Sequence, residues 1–314
     1  MRLVTFRHNT SISTGLLNGS KVRDLSPLVP GGLDCIDDLI RLGEKTTSVL
    51  EQAQASDALP QWELEEVELL SPIRRPGKIL CVGLNYQDHC RETKTPVPRT
   101  PIIFAKLPSA IVGPGDVIEL HEDLTTELDW EAELVVVVGT SIGPGRPGSL
   151  HSVFGYTIGN DISARDLQRE DGQWTRAKSL DTFCPIGPIV VTSDELRDPQ
   201  NLGIGCNVNG TTHQNSNTNQ MIFDISYLIK WVAQGISLDP GDLLFTGTPH
   251  GTGAYQDPPI FLGSGDTVTS WITEIGELNN VVQFSSQKYG INPTNTSRAT
   301  ADSGELSHTE TGLL

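Results

Sequence analysis

The chain has 314 residues, with 22 Lys and Arg against 39 Asp and Glu, a formal net charge of −17. That length is ample for a large buried core. So acidic a balance excludes non-specific binding to a nucleic-acid backbone and argues against attraction to an anionic membrane surface, because like charges repel.

The first residues, MRLVTFRHNTSISTG, carry neither the apolar core of a secretory signal nor the Arg-rich pattern of a transit peptide. A cytoplasmic protein is expected, with a mitochondrial location left open. Arg2–Phe6 reads as a strand and Asn18-Gly19 as a turn. From Leu33 to about Ala55, apolar residues at helical intervals predict one or two amphipathic helices. Ser71-Pro72 and Arg75-Pro76-Gly77 mark a break, which delimits a small α/β N-terminal module over 1–73.

From 74 to 285 the texture changes to short apolar runs punctuated by Gly and Pro: Lys78–Val82, Ile102–Phe104, Leu134–Val138, Ile189–Thr192, Ile204–Val208, Leu243–Thr246, Val268–Ile272 and Val281–Phe284. The fold class is therefore mainly β with α, an α+β domain. One helix is predicted from about Ser226 to Gln234. No apolar run reaches the roughly 18 residues of a membrane span. The five cysteines are odd in number and show no C-x-x-C spacing, so no disulfide framework is expected. The stretch 286–314 is polar and poor in apolar residues, and predicts a loose tail or one draped on a partner.

The segment Glu127-Leu128-Asp129-Trp130-Glu131-Ala132-Glu133-Leu134 puts acids at every odd position. On one continuous strand the four carboxylates share a face, which requires either full solvation or a cation. The following Val135–Val138 suggests burial on both faces, and a strand over Phe154–Asn160 ends at Asp161, a third carboxylate for the same place. No His or Cys stands at ligand spacing nearby. Carboxylates alone favour a hard cation, Mg²⁺ first, with Mn²⁺ or Ca²⁺ as alternatives.

Five ordered motifs carry a resemblance. They are Val82-Gly83-Leu84-Asn85-Tyr86-x-x-His89, Glu131-x-Glu133, Gly159-Asn160-Asp161-Ile162-Ser163-Ala164-Arg165-Asp166, Lys178-Ser179-x-Asp181-Thr182-Phe183-Cys184-Pro185, and Thr246-Gly247-Thr248-Pro249. Together they resemble the fumarylacetoacetate hydrolase family. Asn217–Phe223 and the N-terminal module are most similar to its domain-containing-2 branch. The resemblance implies a distorted β-roll, a homodimer, and Mg²⁺ or Mn²⁺ held by Glu131, Glu133 and Asp161. It implies His89 and Glu92 as a dyad on a lid, with Lys178 beside the reacting oxygens. Tyr86, Arg165, Gln168 and Thr248 are the implied substrate contacts.

The His89–Glu92 spacing itself places both groups on one helix face, where a carboxylate raises the basicity of the imidazole. An exposed i,i+3 ion pair would have the same spacing. Arg165 with Asp166 reads equally as a structural ion pair. The leading expectation is hydrolysis of the C–C bond of a 1,3-diketo acid such as an acylpyruvate, with His89–Glu92 activating water. Tautomerisation or decarboxylation of oxaloacetate is the alternative, and a non-catalytic metal-binding scaffold is the alternative of another class. The expected partner is a small 2-oxo or 1,3-diketo acid.

Overall fold

The computed structural model describes residues 1–120 and 122–285. The tail predicted from residue 286 onward lies outside the described residues. In chain order, the N-terminal part supplies β1 (Arg2–His8), β2 (Ser11–Asn18), β3 (Lys21–Asp24), helices α1 (Ile36–Arg41) and α2 (Lys45–Ala55), β4 (Gln61–Glu63) and β5 (Glu68–Leu70). Next come β6 (Ile79–Gly83), α3 (Gln87–Thr93), β7 (Ile102–Lys106), β8 (Ile111–Val112), β9 (Val117–Leu120), β10 (Leu128–Asp129), β11 (Ala132–Val138), β12 (Val153–Asn160) and β13 (Ser163–Ala164). The remainder is α4 (Arg165–Asp171), α5 (Trp174–Ala177), β14 (Cys184–Thr192), β15 (Gly203–Val208), β16 (Thr211–Asn217), α6 (Ile225–Ala233), β17 (Leu243–Phe245), β18 (Thr267–Ile272) and β19 (Gly276–Phe284).

The large sheet runs β4-β3-β2-β1-β14-β12-β11-β17-β6-β7, with β5 paired to β1 and β8 to β14. Because β1 pairs with β14 (Leu3 opposite Val190), the N-terminal strands extend this same sheet. A second sheet, β16-β15-β18-β19-β9, packs against it, and β10 and β13 form a separate short ladder. Few helices and mixed sheets give an α+β fold, in line with the composition of short apolar runs.

The alternation along β11 explains where the core lies. Leu134, Val136 and Val138 join one apolar cluster with Ile204, Val268 and Leu278 of the second sheet. Val135 and Val137 join another with Ile36, Leu39 and Leu50 of α1 and α2. A strand covered on both sides has no polar face to offer, hence its unbroken valines. Helix α6 is capped by Asp224, whose Oδ1 accepts from the Tyr227 amide at 2.7 Å, and it buries Ile225, Leu228, Ile229 and Val232.

Space between the strands is tight at the site's edge. A Cβ on Gly159 of β12 would stand 2.3 Å from a ring carbon of Phe245 and 2.7 Å from a methyl of Val135. We therefore expect Gly159→Ala to lower stability by about 1–3 kcal/mol through overpacking, read as a reduced urea midpoint at unchanged slope.

Candidate functional site: a buried carboxylate cluster and its cations

The run of alternating acids does not form one strand. It breaks between Asp129, the end of β10, and Ala132, the start of β11. At the break the Glu131 amide donates to Asn160 Oδ1 (2.9 Å) and the Ala132 amide to Gln214 Oε1 (2.9 Å). Side chains thus satisfy backbone donors there, and the acids diverge. Glu127 pairs with Arg169 near the surface. Asp129 is fully buried, accepting from the Gly253 and Ala254 amides and from Arg165. Only Glu131 and Glu133 meet Asp161, which is drawn in by its own amide donating to the Glu131 carbonyl at 2.8 Å. The expectation of four carboxylates on one face is corrected accordingly: a side-chain-bonded break outweighs the strand period.

One oxygen from each of Glu131, Glu133 and Asp161 lies within 4.8 Å of the others, and all three residues are buried. At such separations two like charges repel by about 4 kcal/mol even at an effective dielectric near 20. Three buried cations answer this. Lys178 Nζ donates to Glu131 Oε2 (3.0 Å), Asp161 Oδ2 (2.6 Å) and Ser163 Oγ (2.7 Å). Lys106 Nζ donates to Asp161 Oδ1 (2.6 Å), to the Ile162 carbonyl (3.3 Å) and to the Lys178 carbonyl. Arg165 spends Nε on Asp129 (2.8 Å), sets Nη2 2.6 Å from Glu131 Oε1, and gives Nη1 to Gln168 Oε1 (3.0 Å).

Burial pushes the Glu131 carboxyl up, but Lys178, Arg165 and His89 outweigh it and hold the group at about 2. Burial likewise opposes the charge on Lys178, yet Asp161 and Glu131 prevail and raise its pKa. Glu133 behaves oppositely. Burial, then the charges of Asp161 and Glu131, drive its carboxyl well above the usual range. Its Oε2 accepts from the Gly247 amide at 2.7 Å, and among the described residues it has no ion-pair partner and no hydrogen bond to Oε1. An all-oxygen cluster with one uncompensated buried carboxylate fits a hard divalent cation.

A cavity of about 270 Å³ opens above the cluster, lined by Glu131, Glu133, His89, Arg165, Gln168, Lys178 and Thr248 among others. His89 sits on α3, buried, with Nδ1 3.0 Å from Glu92 Oε2. The second Glu92 oxygen accepts from the Gly251 amide at 2.8 Å, so a loop after β17 fixes the carboxylate that orients the imidazole. Gly247 in that loop adopts φ +98°, and a Cβ there would lie 2.8 Å from Asn85 Cβ. The ring of Tyr255 meets His89 edge-on, with centroids 5.7 Å apart.

Of the residues singled out in the sequence, His89, Lys178, Arg165, Gln168, Thr248, Glu131 and Glu133 border this cavity. Asp161 lies wholly buried under it, and Glu92 stands behind His89. Thr248 gives its hydroxyl to the Ala132 carbonyl and accepts from Gln214. Tyr86 is fully buried and is not among the cavity-lining residues. Lys106 was missed. A lone lysine closing the apolar run Ile102–Ala105 is the only signal for it, and it proves the one fully buried residue of β7. Arg169 and Trp174, which also line the cavity, had no signal beyond their place after Arg165.

A mixed-sheet α+β fold with a buried three-carboxylate cluster beneath a His–Glu pair has the donor set suited to a divalent-metal enzyme. The chain belongs to the fumarylacetoacetate hydrolase family: the family described as Fumarylacetoacetate (FAA) hydrolase C-terminal matches residues 78–283. Oxaloacetate tautomerase FAHD2A, mitochondrial, of Bos taurus is 46% identical over 292 residues, covering 90% of this chain and 91% of the relative, so the domain-containing-2 branch is supported. The solved fumarylacetoacetate hydrolase of Exiguobacterium antarcticum superposes with a TM-score of 0.81 at 37% identity, over 91% of this chain and 100% of that one. A maleylpyruvate hydrolase from Sphingobium sp. SYK-6, solved with manganese(II) and pyruvate, gives a TM-score of 0.75 at 27% identity, over 91% and 100%.

The uncompensated Glu133 makes a distinct prediction. A divalent ion at a hundred times its Kd should stabilise the wild type by about 2.7 kcal/mol. Glu133→Gln should lose that gain, while its EDTA-treated form melts no lower than the EDTA-treated wild type. Thermal melts with EDTA and with Mg²⁺ measure both; a full metal response in Glu133→Gln would refute the ligand role.

Proposed function

We propose that the chain catalyses keto–enol tautomerisation of oxaloacetate in a Mg²⁺- or Mn²⁺-dependent manner. The observation that carries this reading is the His89–Glu92 pair facing the buried carboxylate cluster, in a chain 46% identical to an oxaloacetate tautomerase over nearly its whole length. A divalent ion held by Glu131, Glu133 and Asp161 supplies, when bound, positive charge that favours the enolate form of a 2-oxo acid.

The chain's own groups then divide the work. With Nδ1 engaged by Glu92, His89 keeps Nε2 for the substrate, where it takes a proton from the carbon beside the ketone and delivers it to the enolate oxygen to give the enol, the reverse transfer restoring the ketone. Glu92 stays fixed by the Gly251 amide, which keeps the imidazole aimed and stabilises its charged form. Lys178, held protonated, adds positive potential at the oxygens where negative charge develops. Arg165, bonded to Asp129 through Nε and to Gln168 through Nη1 and ion-paired with Glu131 through Nη2, positions Glu131 and Gln168.

Hydrolysis of a 1,3-diketo acid is the second reading. It is favoured by the likeness to maleylpyruvate hydrolase and by a His–Glu pair equally able to activate water. The mitochondrial name of the bovine relative shifts the expected compartment from cytoplasm towards mitochondria, which cell fractionation tests. A homodimer is carried over from the family resemblance and is tested by sedimentation.

The deciding assay follows the decay of oxaloacetate enol absorbance after EDTA treatment and again with Mg²⁺. We expect metal to restore rapid decay, and His89→Gln to slow it by about 10²–10⁴-fold. Pyruvate release from acetylpyruvate, with no effect on the oxaloacetate enol, would replace the tautomerase reading with the hydrolase one.

A further inference from the structure

We propose that Arg169 selects the substrate's second carboxylate, making the site specific for a dicarboxylic 2-oxo acid over a monocarboxylic one. The inference rests on the reading above, in that it takes the 2-oxo end of the substrate to sit at the carboxylate cluster.

A distal carboxylate inside a confined cavity needs a charge-assisted donor. Lys178 has three N–H bonds and gives all of them to Glu131, Asp161 and Ser163. Lys106 is likewise saturated, and it does not line the cavity. Arg165 is tied to Asp129 through Nε and to Gln168 through Nη1, and its buried Nη2, which has no hydrogen-bond partner, lies 2.6 Å from Glu131 Oε1, so its charge is directed to the carboxylate floor. His89 bonds Glu92 through Nδ1 and keeps Nε2 for the carbon beside the ketone, not for a distal carboxylate. Arg169 remains. It follows Arg165 by four residues and Gln168 by one on α4, so it flanks the same mouth of the cavity, whose lining includes all three.

Arg169 donates only through Nη2, to both oxygens of Glu127 at 2.7 Å each. Among the described residues its Nε and Nη1 have no acceptor. The guanidinium is therefore oriented by one carboxylate while presenting its other donors to a second. Gln168 adds to this: its Oε1 is taken by Arg165, which turns its amide nitrogen into the donor available to substrate. With a side chain 63% exposed, Arg169 sits at the rim, where a second carboxylate would lie if the 2-oxo acid end occupied the floor.

The exposed Arg169–Glu127 pair contributes little to stability, so substitution at 169 leaves the fold intact. The test is binding of oxaloacetate and of pyruvate, which share the 2-oxo acid end but differ in the second carboxylate, to the Mn²⁺-loaded full chain by calorimetry. We expect Arg169→Met to weaken oxaloacetate about ten- to a hundredfold while pyruvate stays within about twofold. Arg169→Lys should recover part of the loss, because it restores the charge without the fork. Unchanged oxaloacetate affinity in Arg169→Met, or an equal loss for pyruvate, overturns the proposal. Enol-decay assays run alongside separate the two claims. A wild type that prefers oxaloacetate through Arg169 but shows no enol turnover would reject the tautomerase reading and retain the specificity one.

Discussion

Burying three carboxylates together is the constraint on which the rest of this molecule depends. Left alone, Glu131, Glu133 and Asp161 would repel one another and carry the desolvation cost of buried charge. The fold brings Lys106 from β7 and Lys178 from the end of α5, together with Arg165 from the start of α4, to meet them. Each cation is fixed by more than one acceptor, so none can swing away to water. The positive groups neutralise Glu131 and Asp161, and Glu133 is left as the carboxylate with the largest unmet need for a cation. That asymmetry distinguishes the cluster from a fully paired ion-pair core and is the feature that fits a hard divalent cation.

The sheet architecture serves this placement. β11 is buried on both sides and is hydrogen-bonded between β12 and β17, which fixes the start of the strand and with it Glu133. The pairing of Ala132 with Asn160 sets Asp161 one residue beyond the end of β12, beside Glu131. The parallel partner of β17, β6, leads directly into the loop and helix that carry His89. A loop from β17 then reaches back, through Gly247 to Glu133 and through Gly251 to Glu92. One short strand and its following loop therefore tie the buried carboxylate cluster to the His89–Glu92 pair above it.

Much of this was legible in the sequence, and the failures have physical reasons. The valine run of β11 and the Gly/Pro punctuation marked the buried strands, and the two N-terminal helices fell within the amphipathic stretch Leu33–Ala55. The acids at 131 and 133 stood out by their spacing. What period-2 counting could not show was the break at Trp130–Glu131, because the groups that compensate it, Asn160 and Gln214, lie 29 and 82 residues away. Nor does a lone lysine announce its burial: Lys106 looks like any strand-ending lysine until Asp161 is beside it. Arg165 was readable as either a substrate contact or a structural ion pair, and its contacts with Asp129, Gln168 and Glu131 came only from tertiary geometry. The short helices α4 and α5 carry too few residues for a helical period to emerge.

The most direct test of the cluster is anomalous diffraction at the manganese edge from crystals of the full chain equilibrated with Mn²⁺. The expected result is a single strong peak per chain, bounded by carboxylate oxygens of Glu131, Glu133 and Asp161, that vanishes in Asp161→Asn. No peak at the cluster, with the three carboxylates still paired only to Lys106, Lys178 and Arg165, would contradict it and leave a purely structural ion network.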